Sequence, residues 1–211
     1  ALTACGGDTT GGESASDDGS AEGTTYSFTV GTNTAEDSVN QLLAEKFKEL
    51  IEERSDGAVT VTIYSNGALG GDAELTESCI AGTVDFIIGM TGSLVNYIPE
   101  AALFDLPNAF PDLATAREVL DGPILADLQA AYEVGGLKLF GYADSGFRVM
   151  SSSKAVRQMS DFSGIKIRTM ENPNHIAYWQ ALGANPTPSD FSELYMSLEP
   201  VSYTHLRAHG T

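Results

Sequence analysis

Two arginines, Arg148 and Arg168, stand 20 residues apart in a chain with few bases to spare. Arg148 falls in a short apolar run that follows a break at Gly146, and Arg168 ends the run Gly-Ile-Lys-Ile-Arg. A guanidinium is a planar fork whose paired N–H groups match the two oxygens of a carboxylate. Spacing alone leaves two readings open. Each arginine could pair with one of the 29 acids at the surface, or both could reach one crevice if their strands are neighbours in a sheet. In the second reading one fork takes a carboxylate and the other reinforces it. Asn172, just after Arg168, offers a donor and an acceptor, and Phe191, at a helix start, can cover the apolar part of a ligand. The chain turns from strand to helix after Arg168, and strand ends that feed helix starts are where open α/β sheets bind ligands.

The rest of the composition argues against contact with a polyanion, and its acidity reads first as solubility. Eleven Lys and Arg stand against 29 Asp and Glu, a formal charge of -18, which argues against an electrostatic grip on nucleic acid or anionic lipid. Six of the eleven bases fall between Lys138 and Arg168, so one region of an acidic protein is locally basic. No catalytic constellation stands out: there is no nucleophile elbow, no phosphate loop and no paired acid and base. His205 and His209 lie four apart without an evident third ligand, so neither a metal site nor a cofactor is expected. An enzyme is not expected either.

The elements that must position these side chains alternate. Tyr26-Ser-Phe-Thr-Val30 reads as a strand. Segment 37–57 reads as a helix, with Asp37 or Ser38 as cap and Val39, Leu42, Leu43, Phe47, Leu50 and Ile51 in the apolar phase. Segment 59–64 is a second strand, 72–81 a helix capped by Asp72, and 84–88 a third strand. This βαβαβ order implies a parallel sheet, with the loop 89–93 on the same sheet edge as the loop after the first strand. Helices are expected over 112–120 and 123–132, strands over 137–142, 147–150 and 165–168, and a helix over 174–182. Pro186 and Pro188 flank an extended piece, and Ser189 or Asp190 caps a last helix through 198. Cys79 falls in the apolar phase of its helix and should be buried. A Cys5–Cys79 disulfide has no support.

Residues 1–25 are a different kind of chain, rich in Gly, Ser and Thr, with five acids and no base. They read as an acidic linker too poor in apolar surface to fold. At their head, Leu2-Thr3-Ala4-Cys5 resembles a bacterial lipoprotein signal, in which the cysteine is lipidated; the charged and apolar parts of a signal peptide would lie upstream. That implies an extracytoplasmic protein, in the periplasm or on the outer face of the cytoplasmic membrane, held to the membrane only through a lipid anchor.

Beyond residue 25 the chain resembles the solute-binding proteins of tripartite ATP-independent periplasmic (TRAP) transporters. The segment from Asp161 to Arg168 matches the D-[LF]-x-G-x-K-[IL]-R motif, and Leu182 to Tyr195 matches L-G-A-x-P-T-P-x-x-F-x-E-[LV]-Y. Gly67-Ala-Leu-Gly70, Ala81-Gly-Thr-Val-Asp85 and Phe104-Asp-Leu-Pro107 with Phe110 agree as well. The resemblance implies a two-lobed α/β periplasmic-binding-protein-like (type II) fold that closes on a small organic acid and hands it to TRAP membrane subunits. By resemblance Arg168 holds the ligand carboxylate, with Arg148, Asn172 and Phe191 completing the site. The expected organisation is a first lobe over 26–142 and a partial second lobe over 143–199. From about Pro200 the family pattern stops, so 200–211 reads as an unrelated tail and the chain as C-terminally truncated. The alternative functions are a binding lipoprotein of an ATP-driven importer, which shares the hinged plan, and a ligand-sensing domain.

Overall fold

The computed structural model describes residues 24–194 and the backbone of Leu206–Ala208. Its first half follows the expected order: β1 (Tyr26–Gly31), α1 (Val39–Arg54), β2 (Val59–Tyr64), α2 (Asp72–Ile80) and β3 (Phe86–Ile87). The strands form a parallel sheet in the order β2-β1-β3, with Val30 facing Ile63 on one side and Phe86 on the other. Because all three strands run the same way, the loops after β1 and β3 leave from one edge. Ser38 starts α1 by accepting a hydrogen bond from the Gln41 N–H at 3.2 Å, satisfying one of the helix's orphan donors. Ala44, Phe47 and Ile51 of α1 then pack on Val30, Val61 and Phe86. The contact arc is narrower than the apolar pattern implies, since Leu42 is 62% exposed and Leu43 40%. Cys79 is half-buried rather than buried.

The chain continues through α3 (Thr91–Leu94), a 3₁₀ turn (Pro99–Asp105), α4 (Leu113–Leu120) and α5 (Ile124–Val134). Asp112 caps α4 by accepting from the Thr115 N–H at 2.8 Å. Leu94, Ile98, Ala101, Tyr132 and Leu137 form a second apolar cluster that fixes α3 and the 3₁₀ turn against α5. The strand expected over 137–142 does not form: its backbone pairs with no strand among the described residues. It is tied instead by Leu137 N–H to the Tyr132 carbonyl and by the Gln129 amide donating to the Leu139 carbonyl. Alternating apolar residues suit a pleated surface, but a strand also needs a neighbouring backbone.

The second half contains β4 (Arg148–Met150), a 3₁₀ turn (Met159–Phe162), β5 (Lys166–Thr169), α6 (Pro173–Ala181), β6 (Asn185–Pro188) and β7 (Leu206–Ala208). β5 pairs with β6 in parallel, Ile167 facing Pro186 and Thr169 facing Pro188. Two prolines are tolerated because β6 has a ladder partner on one side only among the described residues. Ile167, Trp179 and Ala184 form the core under α6, joined by Met150, Phe162 and Leu182. β4 does not neighbour β5; it pairs antiparallel with β7, Arg148 facing Ala208. β7 falls within the stretch 200–211, where the family pattern stops. Cys5, His205, His209 and the expected helix beyond residue 194 lie outside the described residues. Among those described, no helix is long and apolar enough to cross a membrane.

Candidate functional site

Although β4 and β5 are not ladder neighbours, Arg148 and Arg168 line one cavity of about 170 Å³. Asn33 and Asp72 line it from the three-stranded-sheet side, and Met170 and Phe191 from the other. Arg168 leaves the end of β5 and is itself buried. Its Nη2 donates to the Ser189 carbonyl and its Nε to Ser189 Oγ at 3.4 Å. Arg148 is exposed as a residue, yet its guanidinium reaches inward until Nη2 lies 3.4 Å from Met170 Sδ. Among the described residues neither guanidinium has a carboxylate oxygen within ion-pair distance. Burial lowers both pKa values from the usual arginine range. Asp105 opposes it at Arg148, and Asp190 and Asp72 oppose it at Arg168. Two partly desolvated cations facing one space form a site for an anion.

The opposite wall is acidic and polar. Asp72, at the start of α2, has its carboxyl pushed up to about 6 by burial first and by Asp190 second, against the favourable influence of Asn33, Ser93 and Arg168. Asp190 is held below the usual carboxylate range even though burial pushes it up. Donors from Ser192 and the Asp72 backbone, and the charge of Arg168, outweigh that burial. Two neighbouring carboxyls are thereby driven apart, one ionised and one able to hold a proton near neutrality. Asn33, in the loop after β1, is 4% exposed, and neither Nδ2 nor Oδ1 has a hydrogen-bond partner among the described residues. Its amide lies close enough to favour ionised Asp72 but makes no bond of ordinary length with it. A buried amide with both ends unspent is costly in isolation, and this one faces the cavity.

Of the expected site residues, Arg148, Arg168 and Phe191 meet along the cavity, with Phe191 at 38% exposure. Asn172 does not join them. It is fully buried behind the cavity, and both ends of its side chain are committed. Oδ1 caps α6, accepting from the Asn174 N–H at 2.8 Å and the His175 N–H at 3.2 Å. Nδ2 donates to the Gly92 carbonyl at 2.8 Å and to Asp105 Oδ2 at 2.9 Å. The physical reason was local: an Asn directly before Pro173 is an N-cap followed by a proline at the first helical position. Asn33 and Asp72 were missed as site residues. The signal available for Asn33 was its place on the sheet edge shared by the loops after the first and third strands.

Comparison with known proteins places this geometry in a lineage. Residues 30–201 match the description "Bacterial extracellular solute-binding protein, family 7". A solute-binding protein of Verminephrobacter eiseniae is 38% identical over 171 residues, covering 81% of this chain and 51% of that protein. The 2,3-diketo-L-gulonate-binding periplasmic protein YiaO of Escherichia coli is 33% identical over 174 residues, covering 82% and 53%. The chain thus spans about half the length of these relatives. Among solved structures, a TRAP periplasmic solute-binding protein of Polaromonas bound to D-erythronate superposes with a TM-score of 0.82 at 33% identity, covering 86% of this chain and 61% of that one. The sugar acid binding protein of Advenella mimigardefordensis in complex with galactonate gives 0.82 at 33% identity, covering 87% and 60%. The paired arginines, the sheet order and these matches agree, and the chain belongs to family 7 of the bacterial extracellular solute-binding proteins, the TRAP type, with their type II α/β fold.

Proposed function

We propose that this chain carries the binding cleft of an extracytoplasmic protein that captures a small sugar acid and delivers it to the membrane subunits of a TRAP transporter. The observation that carries the reading is the pair of guanidiniums turned to one cavity, with no carboxylate partner among the described residues. Arg168 takes the ligand carboxylate and Arg148 reinforces it. Phe191 covers the carbon chain. Asn33 and Asp72 supply donors and acceptors at the far wall, which suits a ligand whose other end carries hydroxyl groups. The related structures bound to D-erythronate and galactonate support the same class. The lipoprotein-like Leu2-Thr3-Ala4-Cys5 supports tethering through a lipidated Cys5.

A calorimetric panel tests the reading. D-Galactonate, D-galacturonate and D-erythronate should bind, neutral galactose should not, and succinate should bind more weakly because it offers no hydroxyls. Breaking a buried charge pair from one side costs about 3–5 kcal/mol, so Arg168→Ala should weaken binding by roughly a hundredfold or more. Near-wild-type affinity in that variant would remove Arg168 from the role.

A further inference from the structure

Behind the arginines lies a buried polar cluster that has no wall in the cavity. Asp105 ends the first 3₁₀ turn and is held by residues at the start of α6. Its Oδ1 receives His175 Nε2–H at 2.8 Å, and its Oδ2 receives the side-chain amides of Asn172 at 2.9 Å and Asn174 at 3.0 Å. The Asp105 side chain is 6% exposed and that of His175 10%. Burial pushes the Asp105 carboxyl up, but the three donors and the His175 ring together hold it below the usual carboxylate range.

An ionised group this deep is costly unless its charge is used. Beyond its direct partner His175, its charge also reaches Arg148, whose pKa it raises against the effect of burial although the two make no ion pair. One layer separates them. A Cβ at Gly92 would stand 3.1 Å from His175 Cε1, 3.1 Å from Met170 Sδ and 3.6 Å from Arg148 Nη2. The Gly92 carbonyl is fixed by the Asn172 amide that also serves Asp105. We propose that Asp105 is the positioning residue and counter-charge of Arg148. Through Asn172, His175 and the bare Gly92 backbone it sets where the guanidinium lies. Its charge offsets the cost of a partly desolvated cation while leaving the guanidinium N–H groups to the ligand.

The test has one arm without ligand and one with D-galacturonate, and only the second rests on the solute-binding reading. In ligand-free protein the Arg148 Nε–H, assigned by its loss in Arg148→Lys, should give a resolved, slowly exchanging NMR signal. In Asp105→Asn that signal should move to the position of a free arginine. Titration should show Asp105→Asn binding about tenfold more weakly than wild type, with less than about a twofold further loss once Arg148 is already Lys, because groups that act through one another are non-additive. His175→Gln keeps a donor facing Asp105 and should stay within about threefold of wild type. If Asp105→Asn does not fold, His175→Leu replaces it, with the same displaced signal and the same non-additivity expected. An unmoved Arg148 signal in whichever variant folds, or fully additive losses, would overturn the proposal. A displaced signal in a protein that binds none of the acids would leave the positioning role standing and count against the solute-binding reading.

Discussion

Asp72→Asn should make the protein more stable at neutral pH and less able to hold its ligand. The Asp72 carboxyl rises from 3.8 to about 6 on folding. Below the unfolded value both states are protonated and the side chain costs nothing. As pH rises from about 4 to about 6 the unfolded chain gains ionisation free energy that the folded chain does not, so stability falls across that window and levels off above it. Two pKa units correspond to about 3 kcal/mol, and partial solvent access to Asp72 reduces the expected loss to about 1–3 kcal/mol. Asparagine cannot ionise. Urea unfolding should therefore show Asp72→Asn more stable by about 1–3 kcal/mol at pH 7.5, a midpoint shift of about 0.5–1.5 M for a slope of about 2 kcal/mol/M, with the difference gone near pH 4. Calorimetry at pH 7.5 should show weaker binding of D-galactonate, because a carboxylate acceptor at the far wall is lost. A gain in stability matched by a loss of binding is the pattern of a residue kept for function. A stability difference that does not change with pH, or has the opposite sign, would refute the burial argument.

Two further outcomes are expected. Ile167→Ala should cost about 2–5 kcal/mol, because Ile167 is fully buried between Trp179 and Ala184 and the β5–β6 pair has little other core; a loss below 1 kcal/mol in denaturant unfolding would show that this core carries less than its burial implies. Expressed behind a secretory leader in a bacterial host fed radiolabelled palmitate, the protein should take up label and partition with membranes, and Cys5→Ser should abolish both; label retained in Cys5→Ser would rule out that anchor.

The arginines were legible because bases are scarce in this chain, and two at strand ends could be singled out from type and position alone. Their convergence was not legible by the route expected. It does not come from neighbouring strands: β4 takes its ladder partner from residues 206–208, and long-range pairing leaves little local trace. Asp72 and Asn33 belong to residue types that open helices and punctuate strands, so each had an ordinary local role that hid its place on the cavity. Asn172 is the reverse case. It sits beside Arg168 in sequence, but its amide serves a cap and a buried carboxylate. The run 137–142 shows the same limit: its apolar residues suit a strand, but no strand pairs with it among the described residues, and Leu137 is buried by packing on Ile98 and Tyr132 instead.

The close approach at Gly71 has a practical reading. The Asp190 carboxylate caps α2 by accepting the Asp72 N–H at 3.1 Å, and a Cβ at residue 71 would collide with it. One added methyl group there would act as a wedge, and Gly71→Ala would push the Asp190 carboxylate off the start of α2, so that the worth of this single bridge between distant parts of the chain could be measured apart from the arginines.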